Sequence, residues 1–273
     1  MIRFRKIFKH TVSNVVGMIH IGALPGTPRY EGSVAKLVDS ACKEAEIYQE
    51  CGIDGVLLEN MHDLPYIQSK DMGPEVVSVM TAISTNVRAL LSPNIPCGIQ
   101  VLAGANPEAI AIALAAKLQF IRAEGFVFSH VADEGWIDAC AGTLLRYRHS
   151  IGADNILIFT DVKKKHSAHA ITADLSIEET VKAAEFFLSD GVILTGTSTG
   201  NPASITELHK AKLHAKGPVI IGSGITSENL HDYIAADALI VGSYFKRNGN
   251  WEEELDFNKV KLFMETVKKE RGK

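Results

Sequence analysis

The sequence predicts an α/β barrel: one closed sheet of eight parallel strands wrapped by helices, preceded by a short lead-in segment. Short β-branched, nearly continuous apolar runs alternate with longer helical stretches along the chain, the pattern of parallel strands whose two faces are both covered. No linker or low-complexity segment interrupts the 273 residues, a length that suits one barrel. The last two runs each end in Gly-Ser, at Gly222-Ser223 and Gly242-Ser243. A phosphate commonly sits at the loops after the final two strands of such a barrel.

The eight strands are expected at Val15–Ile21, Gly55–Glu59, Cys97–Leu102, Phe120–Ala123, Ile156–Val162, Gly191–Leu194, Val219–Ile221 and Ala238–Val241. Helices are expected near Val34–Cys51, Glu75–Leu91, Pro107–Lys117, Ile137–Ser150, Ile177–Leu188, Pro202–Lys212, Ser227–Ile234 and Asn258–Glu270. Cys51-Gly52 reads as a glycine-capped helix end, Asn106-Pro107 and Asn201-Pro202 as capped starts, and Asp174 or Ser176 with Glu178 and Glu179 as another start. The barrel proper is assigned to residues 15–273. Residues 1–14 carry Arg3, Arg5, Lys6 and Lys9 among Ile2, Phe4, Ile7 and Phe8, with no acidic residue before Glu31. They read as a lead-in helix closing the barrel bottom or as a short targeting segment, so the expected location is cytoplasmic, with the mitochondrial matrix as the alternative.

A net charge of −4 and a pI near 6.2 supply no basic field for a nucleic acid. No apolar run is long enough to span a bilayer. Cys42, Cys51, Cys97 and Cys140 form neither a C-x-x-C pair nor a zinc-finger spacing, and read as free thiols in a reducing compartment. On the first barrel helix, Cys42, Ile47 and Tyr48 face either the core or a second copy of the chain in a homo-oligomer.

Chemistry in such a barrel lies where the strands end, which singles out several polar residues. His20 alternates with apolar neighbours and points inward near the top of strand one. Strand two ends at Glu59, whose buried carboxylate needs a partner. Gln100, Arg122 and Glu124 follow at the ends of strands three and four, with Arg122 and Glu124 a candidate ion pair. At strand five, alternation sets Asp161, Lys163 and Lys165 on one side, while Lys164 reads as part of a solvated loop. Asp161 and Lys163 are acid/base candidates, and Lys163 is also a candidate Schiff-base former. His166 follows as an orienting or proton-exchanging group. Gly196 and Thr197 after strand six, with Gly222, Ser223, Gly224, Gly242 and Ser243, form a Gly/Ser/Thr-rich rim suited to phosphate. No cofactor is expected; a divalent metal held by His166 and His169 with Glu59 or Asp161 is the alternative, without a tight ligand motif behind it.

The segments Val16-Gly17-Met18-Ile19-His20, Leu24-Pro25-Gly26-Thr27-Pro28, Gly52-Ile53-Asp54-Gly55, Glu59-Asn60, Asp161-Val162-Lys163 with Lys165-His166, Gly222-Ser223-Gly224 and Val241-Gly242-Ser243 together resemble the BtpA family. The resemblance runs from about Val15 to the C-terminal helix and implies a TIM barrel. The family is named for photosystem I biogenesis, yet members occur widely outside photosynthesis and some accompany sugar-metabolism genes. It transfers no settled catalytic residue. The function expected is an enzyme acting on a small phosphorylated metabolite, of the phosphosugar or ribosyl phosphate class, by acid/base chemistry. The alternatives are a non-catalytic assembly factor for a protein complex and a metal-dependent hydrolase.

Overall fold

The computed structural model describes residues 1–272. Eight parallel strands close into a barrel: β1 (Asn14–His20), β2 (Gly55–Glu59), β3 (Cys97–Gln100), β4 (Phe120–Ala123), then, beyond a small excursion, β7 (Leu157–Val162), β9 (Gly191–Leu194), β10 (Val219–Ile221) and β11 (Ala238–Val241). The excursion is a three-stranded antiparallel sheet of β5 (His130–Ala132), β6 (Gly135–Ile137) and β8 (Ser167–Ala168), ordered β6-β5-β8. It lies in the loops after β4 and β7. Around the barrel stand α2 (Val34–Glu50), α3 (Pro74–Leu90), α4 (Asn106–Ala115), α5 (Ala141–Ser150), α6 (Ile177–Phe186), α7 (Ile205–His214), the single-turn α8 (Leu230–Tyr233) and α9 (Phe257–Arg271).

All eight expected strands form, and three helix starts differ from expectation, one of them α8, which begins at Leu230 and not at Ser227. α5 begins at Ala141 because Gly135–Ile137 is spent pairing with β5. α7 begins at Ile205, where the Ser204 side chain accepts from the Glu207 amide, and not at Asn201-Pro202. Ser176 opens α6 with a full capping box to Glu179, and Gly52, at φ +74°, follows the end of α2.

A short first helix, α1 (Ile2–Ile7), precedes the barrel. Phe4 and Phe8 are buried against Val16, Leu57, Phe120, Phe159 and Ile240, side chains that fill the barrel interior. Burying one such aromatic stabilises by about 1.5–3 kcal/mol, so α1 works as a plug at the end opposite the strand C-termini. Tyr48 of α2 belongs to the core: it is fully buried and its hydroxyl donates to Met18 O at 2.8 Å. Gly17 makes room for it, since a Cβ there would lie 2.5 Å from the Tyr48 ring.

Candidate functional site at the barrel mouth

The inward positions change character along the strands. Met18 and Leu57, paired in register, belong to the apolar interior, and two residues further on His20 pairs with Glu59 and Glu59 with Gln100. Period-two alternation thus sets a polar layer directly above the apolar one.

Arg122 and Asp161 complete this floor. Arg122 Nε donates to Asp161 Oδ1 and Nη2 to Oδ2, both at 3.0 Å, and both side chains are buried. The expected Arg122–Glu124 pair is therefore replaced. Glu124 instead takes Lys164, Nζ to Oε1 at 3.0 Å, and accepts from the Gly104 amide at 2.8 Å. Lys164 is consequently buried and ion-paired, not a solvated loop residue. Burial opposes the Glu124 charge, but Lys164 and these hydrogen bonds win, holding its carboxyl below the usual range.

The strand-five alternation fails after Val162, because Lys163 adopts φ +51°. Its Nζ donates to Leu175 O at 2.6 Å, so Lys163 is turned away from the floor and Lys165 reaches the mouth instead. Among the described residues Lys165 Nζ makes one long hydrogen bond, 3.4 Å to Thr199 Oγ1. Burial, reinforced by the neighbouring Arg122 charge, pushes its ammonium below the ordinary lysine range. His166 stands at the outer edge, half-exposed, with Nε2 2.9 Å from Thr199 Oγ1.

Two lobes open above the floor. The first, about 160 Å³, is bounded by His20, Glu59, Arg122 and Lys165 on one side and by the turns Gly222–Thr226 and Gly242–Tyr244 on the other. Among the described residues, no protein acceptor takes the backbone N–H of Ser223, Gly224, Ser243 or Tyr244. Clustered free amides of this kind form an anion-binding concavity. Gly196 and Thr197, expected on this rim, serve it from beneath: the Gly196 N–H donates to Ser223 Oγ, which donates on to Asn201 O, and Thr197 O accepts from the His166 amide. Thr199 and Gly200 form the wall there.

The second lobe, about 300 Å³, shares Glu59, Arg122 and Lys165 with the first and adds Leu64, Tyr66, Gln100, Leu102 and Trp251. Trp251 lies in the connection after β11; its ring sits 4.9 Å from His62 and its carbonyl lies 3.3 Å from His20 Nδ1. The Trp251 carbonyl needs a proton on Nδ1, which leaves His20 Nε2 as an acceptor facing Glu59 Oε2 at 3.8 Å. Burial, with Lys246 nearby, holds His20 well below its ordinary value and therefore neutral. Burial pushes the Glu59 carboxyl up, against Arg122 and Lys165. An amine, a carboxyl biased toward protonation and a bare imidazole nitrogen thus line one wall, a set competent for proton exchange.

Among the described residues no three His, Cys, Asp or Glu side chains converge as a metal site. His169 Nε2 bonds to Lys164 O at 2.9 Å. The four cysteines are free, and burial raises each thiol; for Cys97 the rise is to about 12. No helix among the described residues is long and apolar enough to cross a membrane.

These features define a (β/α)8 barrel with a polar, two-lobed mouth at the strand C-termini. A profile of the BtpA family matches residues 11–269, and the chain belongs to that family. It is 50% identical over 256 residues to an uncharacterized Caenorhabditis elegans protein named as mitochondrial, covering 93% of this chain and 92% of that one. It is 36% identical over 259 residues to the photosystem I biogenesis protein BtpA of Synechocystis, covering 94% and 88%. Among solved structures, orotidine 5'-monophosphate decarboxylase from Methanocaldococcus jannaschii, complexed with the inhibitor BMP, superposes with a TM-score of 0.59 at 15% identity, covering 94% of this chain and 99% of that one. KGPDC from Streptococcus mutans, in complex with D-R5P, gives 0.59 at 9% identity, covering 94% and 98%. At such identities the likeness is one of fold.

Proposed function

We propose that the chain is an enzyme acting on a small phosphorylated metabolite of the phosphosugar or ribosyl phosphate class. The observation carrying this is that unpaired amides of two adjacent turns, Ser223-Gly224 and Ser243-Tyr244, face the same cavity as His20, Glu59 and Lys165. The amides hold the phosphate, and the ligand's remaining atoms extend over the Glu59–Lys165 wall into the second lobe. Glu59 and His20 exchange protons there; Arg122 and Asp161 fix the floor beneath them. Two proteins of the same fold, orotidine 5'-monophosphate decarboxylase and KGPDC in complex with D-R5P, support the choice of ligand class.

Thermal unfolding with inorganic phosphate and ribose 5-phosphate tests this. A ligand at a hundred times its Kd adds about 2.7 kcal/mol. Stabilisation by both compounds that disappears in Ser243→Asp, whose carboxylate repels an anion at the amides, supports the site. No stabilisation at any concentration removes it.

The second reading, an assembly factor, is favoured by the name of the Synechocystis relative and by exposed Phe186, Phe187, Leu188 and Leu213, near the ends of α6 and α7. Such a surface suits a protein partner. This reading requires Phe186→Ser with Leu213→Ser to abolish function while changes in the mouth leave it intact. Residence in the mitochondrial matrix is proposed on the name of the C. elegans relative and the basic first residues.

A further inference from the structure

Lys165 is an amine without the partners that ordinarily occupy one. Within the described residues no carboxylate reaches ion-pair distance of its Nζ, whereas Lys164 beside it is paired to Glu124 at 3.0 Å and Lys163 is bound to a carbonyl. The side chain lines both lobes. It therefore sits where a ligand anchored by its phosphate in the first lobe carries its next carbons into the second.

We propose that Lys165 is an imine-forming amine, attacking the carbonyl carbon of a phosphorylated aldehyde or ketose seated in the mouth. The class of carbonyl compound rests on the phosphate reading above; the nucleophile does not. Burial and Arg122 both disfavour the ammonium, which raises the share of neutral amine above that of a solvated lysine at the same pH. The Nζ lone pair forms the C–N bond as the carbonyl π pair moves to oxygen, which takes the proton of Glu59. The new ammonium gives one proton to His20 Nε2. That proton then returns to the carbinolamine hydroxyl, which leaves as water while the nitrogen lone pair closes the C=N bond. The products are a protonated imine, water and the Glu59 carboxylate. Such an imine withdraws electrons from the adjacent carbon, which suits isomerisation or carbon–carbon cleavage of a sugar phosphate.

An anchoring lysine that simply neutralises phosphate makes a different prediction, because it stays protonated at neutral pH and forms such an adduct only as the pH is raised toward the ordinary lysine range. The full chain is treated at neutral pH with limiting pyridoxal 5'-phosphate, an aldehyde bearing a phosphate, then reduced with borohydride and mapped by peptide mass. The expected result is that Lys165 carries the dominant adduct, with Lys163 and the exposed lysines modified only in traces. Lys165→Met, checked by circular dichroism, loses it, and inorganic phosphate suppresses it. Adducts spread over exposed lysines with Lys165 unmodified overturn the proposal, and this map on the unaltered chain decides the matter even if the variant does not fold. An adduct at Lys165 that phosphate fails to suppress supports the amine and counts against the phosphate lobe. Stabilisation by phosphate with no adduct at Lys165 retains the lobe and removes the amine.

Discussion

Arg122 and Asp161, on adjacent strands of the barrel, grip each other through two parallel hydrogen bonds of 3.0 Å with both side chains buried. A planar guanidinium matched to a carboxylate in this way is rigid as well as charged. The pair occupies the groups that a free acid or base would need. Asp161 holds the Arg122 guanidinium fixed beneath Glu59 and Lys165, where Arg122 favours the Glu59 carboxylate and opposes the Lys165 ammonium more than Asp161 does the reverse.

Asp161→Asn is therefore expected to act first on stability. Breaking a buried pair from one side costs about 3–5 kcal/mol, since the other charge is stranded; Glu59 nearby moderates this toward the lower figure. Urea unfolding reads the change. A variant that loses turnover or ligand binding at unchanged stability would show Asp161 acting directly in chemistry, against this account.

Gly224 illustrates why the most obvious way to block the first lobe is a poor probe. Its φ is +73°, and a Cβ would lie 2.2 Å from Pro202 N, so any side chain must displace the loop after β9. Gly152 has a similar φ, +72°, with nothing within 4 Å. Alanine at Gly152 pays only the backbone strain, about 1 kcal/mol. Alanine at Gly224 adds the clash, so its loss of Tm is expected to be clearly the larger of the two. Equal losses would mean that the loop yields freely, and the brace from Gly196 through Ser223 to Asn201 would then count for little.

The barrel was legible because parallel strands covered on both faces leave a strong local mark, as in Val219-Ile220-Ile221 and Ala238-Leu239-Ile240-Val241. The layer of His20, Glu59 and Gln100 was legible for the same reason: inside a strand, counting by two decides which way a side chain points. That counting stops where the strand stops. β7 ends at Val162, Lys163 turns to positive φ, and the inference that Lys163 faces the mouth fails by two residues in favour of Lys165. A run of three lysines carries no local sign of Glu124, forty residues earlier in the chain, so the sequence alone does not reveal that Lys164 is buried and paired. The hairpin of β5 and β6 is only three residues on each side, too short for alternation to separate from a helix start. No local signal marks Trp251, since its place beside His20 and His62 depends on how the connection after β11 folds back.

Acid sensitivity follows from the histidines. Burial lowers His20, His62, His130 and His166, and for His130 the value falls to about 4, with Lys164 and His169 adding to the burial effect. For a base whose folded value lies below its unfolded 6.5, the unfolded chain takes up protons first as the pH drops. The stability conferred by the neutral ring is present above 6.5 and is lost progressively down to the folded value. Glu44, Glu59 and Asp63 work in the opposite sense, because burial raises their carboxyls and the folded chain binds those protons earlier, but Glu124, held low beside Lys164, acts together with the four histidines. The Tm is thus expected to fall steadily between pH 6.5 and 4. His130→Asn, which cannot acquire the charge beside Lys164, should flatten that slope. A Tm that rises on acidification, or a slope untouched by His130→Asn, would show that these imidazoles are solvated in the folded chain, and with them the neutral His20 on which proton exchange at the mouth depends.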